Sequence, residues 1–203
     1  MRAGILASMT LCDPDPAPAA LRRLRPRVGG TGPDVVRRDD VPPWAWTGLH
    51  LDGALVHLWR DTSRVTATPE SRTLRARAVA PLVPRRGAVG RLSAAWVHTG
   101  GRAPDRVTVL VRSGARRPGP HPGRVSAEAD LADDDVQSVG GVLVTTMGRT
   151  AVDVARWVPA ATAVPVLRAL VTHGLDPDDT LRRLEAHAGG RGLRAARATL
   201  RQV

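Results

Sequence analysis

Acidic and histidine side chains are the first places to look for chemistry in this sequence. Asp133, Asp134 and Asp135 stand in a row that could attract a cation. Three consecutive residues at a helix start point in different directions, however, and their negative charge suits a helix N-terminus, so they read as a capping run. Pro104-Asp105 and Glu128 resemble the opening of a PD-(D/E)-x-K nuclease site, but the chain has no lysine to complete it. The same absence excludes a P-loop, whose lysine must reach the phosphates. His50, His57, His98, His121, His173 and His187 show no i, i+4 pairing, and there is no H-E-x-x-H, no G-x-S-x-G and no G-x-G-x-x-G after a strand. Cys12 stands alone, which excludes a disulfide framework and a cysteine-based zinc site. The residues point to no catalytic group, no metal site and no cofactor, so the chain reads as a non-enzyme.

The arginines carry the stronger signal. Thirty basic residues face nineteen acidic ones, for a formal charge of +11. Lys, Asn, Phe and Tyr are absent and Ile5 is the sole isoleucine, the mark of a high-GC genome. Codon bias explains arginine in place of lysine, but not the excess over aspartate and glutamate. Such a balance attracts polyanions, and nucleic acid is the expected partner. The segment Ile5 to Leu11 is too short to span a bilayer or to form a convincing signal h-region, which implies a cytoplasmic chain.

The elements that must position these charges follow from pattern. Residues 1–33 read as a flexible lead-in with a short basic helix in AALRRLRPR, stopped by Pro26, and a Gly-rich linker at 29–33. Asp34 is a suitable N-cap for a short helix from Val35 to Asp40, ended by Pro42 and Pro43. A second short helix runs from Pro43 to Leu49. Asp52-Gly53 marks a turn, Ala54 to Trp59 alternates as a strand should, and Ser63 to Ala67 offers a return strand. This is the order of a winged helix-turn-helix in reduced form, over 34–68. Its DNA-contact candidates are Arg37, Arg38, Trp44, Trp46, His50, Arg60 and Arg64. The N-terminal part of helix 43–49 would approach base edges, with Arg60 and Arg64 meeting phosphates from the ribbon. Equally, Trp44, Trp46 and Trp59 could form the core of a small module lacking Phe and Tyr, Trp59 most readily. That helix has few groups to read bases with, so phosphate contacts would supply most of the affinity. The reading requires the positive surplus to be concentrated over a small three-helix-and-ribbon head, residues 17–66, in which the basic helix supplies the third helix.

Residues 69–203 read as a larger α+β domain ending in a helical tail. A helix from Glu70 to Leu82 carries Leu74, Ala78 and Leu82 on one stripe, with Arg72, Arg75 and Arg77 off it. Gly87 to Gly90 leads into a small-residue helix at Leu92 to Trp96. Arg106 to Arg112 is strongly β-branched and is the clearest strand. A Pro- and Gly-rich loop, 114–123, precedes a further strand at Arg124 to Ala129. Val136 to Val139 and Val142 to Val144 flank the hairpin turn Gly140-Gly141. Thr146 caps a helix through Trp157; further helices run from Pro159 to His173, Asp176 to His187 and Leu193 to Leu200. Arg182, Arg183, Arg191, Arg194, Arg197 and Arg201 form a second basic cluster that reads as a solvated face.

Three stretches resemble a known family. Gly141 to Arg156, GVLVTTMGRTAVDVAR, looks like the G-x-x-V-T-T-x-x-R-T-x-x-D-x-A-R signature of actinobacterial proteins of the AbiEi antitoxin family. Leu92 to Val111, LSAAWVHTGGRAPDRVTVLV, is similar to that family's S-A-A-W-L-H-G block, and HGLDPDDTLRRLEAHAGGRGLRAARATL resembles its helical end. The likeness covers about residues 69–200. It implies a type IV antitoxin: an N-terminal winged helix-turn-helix that represses its own operon by binding double-stranded DNA. Its C-terminal domain is tied to neutralising a nucleotidyltransferase toxin, without requiring direct contact. Longer relatives add a Vsr-like endonuclease domain, for which this chain has no residues. Arg149, Thr150 and Asp153 form the core of the signature; spaced one helical turn apart, Arg149 and Asp153 read as a pair anchoring their helix to the preceding hairpin. An interaction module that has lost DNA binding is the alternative.

Overall fold

The computed structural model describes residues 34–186 and 192–203. The basic helix expected near residues 17–25, with Cys12, His187 and Arg191, lies outside the described residues.

The head begins with a correction. Val35 to Asp40 does not form a helix; Val35–Arg37 is strand β1, followed by a single 3-10 turn at Arg38–Asp40. Six residues are too few to offset the cost of helix nucleation. Val35 and Val36 are β-branched and gain a ladder partner that only the fold supplies. Helix α1 (Pro43–Leu51) follows, then β2 (Leu55–Trp59) and β3 (Thr62–Val65). β3 lies between β1 and β2 and is antiparallel to both, so the expected two-stranded ribbon is a three-stranded sheet. Val36, Leu49 and Leu55 close a small cluster beneath α1, with Trp46 and Val65 packed against it.

The larger unit is α+β. It contains α2 (Arg72–Val79), β4 (Gly87–Val89), α3 (Arg91–Thr99), β5 (Val107–Arg112) and β6 (Arg124–Ala129), then the hairpin β7 (Val136–Val139) and β8 (Val142–Thr145). Helices α4 (Met147–Trp157), α5 (Ala160–Thr172), α6 (Pro177–Ala186) and α7 (Leu193–Leu200) complete it. The sheet order is β6-β5-β4-β8-β7. Pairs β5/β6 and β4/β8 are parallel, while β4/β5 and β7/β8 are antiparallel.

The segment Gly87 to Gly90, legible only as a lead-in, thus holds the central strand, Gly87–Val89, and the N-cap of α3, Gly90. Its glycines allow close approach: a Cβ on Gly87 would stand 2.6 Å from Val109 Cγ1, and one on Gly90 2.4 Å from Leu110 Cδ1. They remove the side chains by which a strand is recognised.

Helix α2 is shared by both sheets. Leu74, Ala76, Ala78 and Val79 are all buried, in one cluster with Val35, Leu58 and Trp59 of the head and Val89, Val107, Val109 and Val144 of the larger sheet. Apart from its own small cluster beneath α1, the head therefore shares its core with the larger unit. Arg75, expected off the apolar stripe, is buried: its Nε donates to the Val97 carbonyl and its Nη1 pairs with Glu70 at 2.9 Å. It satisfies carbonyls at the C-terminal end of α3 that the helix leaves without intrahelical partners. A second cluster joins the helical layer through Val152, Val154, Leu167, Leu170, Leu184, Ala196 and Leu200.

The β7–β8 turn packs onto α2. Gly140 has φ +58°, and a Cβ there would lie 2.9 Å from the Thr73 carbonyl oxygen, whereas Gly141, at φ +83°, faces open space. Gly140→Ala is expected to destabilise the chain by about 2 kcal/mol or more, from left-handed strain plus the backbone clash. Gly141→Asn is expected to cost less than about 1 kcal/mol, because Asn tolerates that conformation. Urea denaturation midpoints of the two variants check this.

Candidate nucleic-acid interface

Contacts made by the seven head residues divide them into three groups. Three are committed to the fold. His50 is half-buried, with Nδ1 donating to the Trp46 carbonyl at 2.8 Å and Nε2 accepting from Ser63 Oγ at 2.8 Å. Trp46 packs against the His50 ring, with centroids 4.5 Å apart. Arg64, expected to meet phosphate from the ribbon, turns its Nη1 onto the carbonyls of Thr68 at 2.8 Å and Thr66 at 3.3 Å, clamping the exit from the head. Arg37 is intermediate: its Nη2 donates to the Arg77 carbonyl at 3.1 Å, and Arg77 in turn pairs with Asp34 at 3.1 Å.

The other three face solvent. Arg38 is exposed, and its backbone N–H donates to the Asp61 carbonyl at 2.8 Å, which holds it beside the β2–β3 tip. Arg60 occupies that tip with φ +46° and lies 5.5 Å over the Trp59 ring. Trp59 belongs to the core, as its pattern suggested, and its Nε1 donates to the Pro104 carbonyl at 2.8 Å. Trp44, at the start of α1, is 58% exposed, and Leu51 at its end is 81% exposed. The outward face of α1 is therefore Trp44, Thr47, Gly48 and Leu51, an apolar stripe without a cation.

The charge balance corrects a second expectation. Residues 34–68 contain four arginines and five aspartates, so the described part of the head has no positive surplus. What excess residues 17–66 hold comes from the arginines of 22–27, outside the described residues. Residues 69–129 contain twelve arginines against three acidic residues, and residues 130–186 five against nine. The surplus lies in the α2–β6 part of the larger unit. This partition is readable from the sequence by counting charge element by element.

The signature residues form an interior joint. Arg149 is 5% exposed; its Nε pairs with Asp153 at 3.1 Å and its Nη1 with Asp135 at 2.6 Å, and Nη1 also donates to the Asp130 carbonyl at 2.6 Å. Asp135 thus serves Arg149 and the Ala132 N–H within a 3-10 turn, Asp133–Asp135, rather than capping an α-helix. Burial raises the Asp153 carboxyl above its ordinary range, opposed by the Arg149 guanidinium. Burial pulls Arg149 down, but Asp153 and Asp135 outweigh it and keep the group a cation. Thr146 caps α4 by accepting from the Arg149 N–H, and Thr150 Oγ1 stands 2.6 Å from Thr145 Oγ1. His98 Nε2 donates to the Thr145 carbonyl at 2.7 Å. Burial pushes the His98 pKa down, with Arg72 and Arg75 adding to the shift and the bond to Thr145 opposing it. Arg149 and Asp153 therefore tie α4 to the 130–135 segment between β6 and β7, rather than to the hairpin that their spacing suggested.

In the C-terminal basic cluster, Arg183 pairs with Asp179 at 2.8 Å and holds that carboxyl below its ordinary range. Arg182 lies 3.5 Å from the same carboxylate. Arg194 and Arg201 are exposed and Arg197 half-buried. Among the described residues no group of His, Cys, Asp or Glu side chains is arranged to hold a metal ion, and no helix is long and apolar enough to cross a membrane.

No protein-family profile and no curated protein matches the chain. Among solved structures, the chain is similar to the RV2827C protein from Mycobacterium tuberculosis, with 21% identity and a TM-score of 0.45 over 84% of this chain and 72% of that one.

Two predictions follow from the interior joint. Arg149→Ala leaves Asp153 buried and unpaired and is expected to cost about 3 to 5 kcal/mol in chemical denaturation. The His98 shift fixes a pH dependence. Below its ordinary value of 6.5 the unfolded chain takes up a proton that the folded chain resists, so stability falls as pH is lowered through this range. Denaturation midpoints between pH 7.5 and pH 5 check this, and His98→Gln is expected to flatten the dependence.

Proposed function

We propose that this chain is a DNA-binding, antitoxin-like transcriptional regulator of the AbiEi type that acts on double-stranded DNA of its own promoter. The observation that carries the reading is the head's topology. A short turn and α1 precede the β2–β3 hairpin, and β3 pairs with a strand lying before α1, giving the order β1-β3-β2. That strand order is compatible with a reduced winged helix, with one α-helix and a 3-10 turn among the described residues. In such a fold the helix before the hairpin would enter the major groove and the hairpin tip reach the backbone. Arg38 and Arg60 at the tip, and Trp44 at the start of α1, are the groups best placed for contact. The signature residues Arg149, Thr150 and Asp153 support family membership as structural determinants. Repression of an operon encoding a nucleotidyltransferase toxin is the role consistent with that membership, with no direct contact between the two proteins required.

A second reading rests on the outward stripe of α1. Trp44 and Leu51 are exposed without a neighbouring cation, and a head with no positive surplus suits docking to a protein better than to a duplex.

Fluorescence anisotropy on a duplex from upstream of the gene separates the two readings. A DNA regulator binds it in preference to a scrambled duplex, with affinity falling steeply as salt rises. Trp44→Ala, at an exposed position, is expected to weaken the preferred complex about tenfold, the loss of one contact of about 1.4 kcal/mol, and to leave the scrambled complex unchanged. Binding that is weak and indifferent to sequence in the parent chain would favour the protein-docking reading.

A further inference from the structure

The surplus of positive charge has a definite location, set by how β5 reaches β6. These strands are parallel neighbours, so the connecting loop, residues 113–123, must run back along the full length of the strands it joins. It does so without a helix, in the Pro- and Gly-rich run RPGPHPG (117–123) along the β6 edge. Arg124 fixes its course, with Nη2 donating to the Gly119 carbonyl at 2.8 Å and Nη1 to the Leu82 carbonyl at 3.2 Å. Arg106 Nη2 donates to the Arg124 carbonyl at 2.7 Å. A shallow cleft of about 540 Å³ follows this loop, lined by Arg106, Arg117, His121 and Arg124 with no carboxylate among its walls.

Register extends the charge across the sheet end. Gly87 pairs with Val111, and Val111 with Glu128, while Arg117 Nε bonds Glu128 at 2.8 Å. The exposed turn Arg85-Arg86, closed by Gly87 N–H donating to the Pro84 carbonyl at 2.8 Å, therefore sits at the same end of the sheet as Arg117. At the other end the loop meets the head. A Cβ on Gly123 would lie 2.9 Å from Arg60 Nη1, so the hairpin-tip arginine rests against the loop.

Resting on the DNA-binding reading, we propose that the phosphate-gripping surface is this end of strands β4–β6 together with the 113–123 loop along the β6 edge. Arg85 and Arg86 on the turn and Arg116 and Arg117 on the loop hold the duplex backbone, and Arg60 continues the track onto the head. Of the twelve arginines in 69–129, Arg75 is buried and Arg77, Arg112 and Arg117 pair with carboxylates. The remaining exposed arginines, with Arg117 able to exchange Glu128 for a phosphate, supply the attraction that the head lacks. Exposed arginines at one end of the strands, with Arg106 and Arg60 at the other, match a repeating polyanion rather than a single anion. The head then contributes orientation, and the larger unit most of the salt-dependent affinity.

The test uses the full chain with a duplex of about 25 base pairs, titrated between 50 and 200 mM NaCl. Two variants are compared: Arg85→Ala/Arg86→Ala/Arg116→Ala/Arg117→Ala at the edge, and Arg38→Ala/Arg60→Ala at the head. Each lost phosphate contact lowers the slope of log K against log salt by about 1. The edge variant is expected to lose about 3 to 4 from the slope and at least tenfold in affinity, equally on promoter and scrambled DNA. Replacing the same four arginines by lysine is expected to restore binding, because phosphate holding needs charge more than a fork; this also separates lost contact from lost folding. If the edge variant keeps the parental affinity and slope while the head variant loses both, this surface is wrong and the DNA-binding reading stands. Absence of duplex binding by the parent chain at 50 mM salt, or tighter binding to single-stranded RNA of the same length, overturns the proposal.

Discussion

Helix α2 is the element on which the arrangement depends. It is eight residues long and has buried positions on more than one face, because it is packed between two sheets. A helix in that position cannot be amphipathic in the usual sense. Leu74, Ala76, Ala78 and Val79 cover an arc wide enough to serve both neighbours, and the small alanines let the sheets approach. Its arginines complete the attachment, Arg75 to the end of α3 and Arg77 to Asp34 of the head. Substituting any of the four apolar residues by a polar one would loosen both units together.

Because the core is shared, the head is held in one orientation against the larger unit. Trp59 spans the junction from the head side, its ring in the common core and its indole N–H on the Pro104 carbonyl. Arg64 secures the chain as it leaves β3. These contacts explain why residues that look like phosphate ligands in a linear reading serve as internal braces: a buried or half-buried carbonyl needs a donor, and arginine supplies several from one side chain. The braces also place Arg60 against the 113–123 loop, which makes one continuous surface from two units.

The signature around Arg149 shows the same principle at a second junction. Conversion of an i, i+4 pair into a buried node, with Asp135 and the Asp130 carbonyl as added partners, ties the β8–α4 turn to the segment after β6. A pair that would contribute a few tenths of a kcal/mol on an exposed helix becomes costly to break once water is excluded. A sequence motif centred on such a residue reports the architecture of the domain rather than a reacting group.

Much was settled by the sequence alone. The β-branched run 107–112, the Gly140-Gly141 hairpin, the Thr146 cap and the helical tail are local patterns whose physics is complete within a few residues, and each stands in the structure as read. The location of the charge surplus was also present in the sequence, in the twelve-to-three balance of residues 69–129. Only the tertiary structure decided the rest. Val35 and Val36 are strand rather than helix because β3, nearly thirty residues later, offers hydrogen bonds that no local pattern contains. Gly87–Val89 is a central strand because Gly87 and the adjoining Gly90 admit Val109 and Leu110. Arg75 and His50 are internal because a carbonyl and a hydroxyl distant in the chain lie beside them, whereas Arg64 folds back onto carbonyls two and four residues ahead. Local patterning determines an element when its partners are its own neighbours; where the satisfying partner is remote, the fold decides.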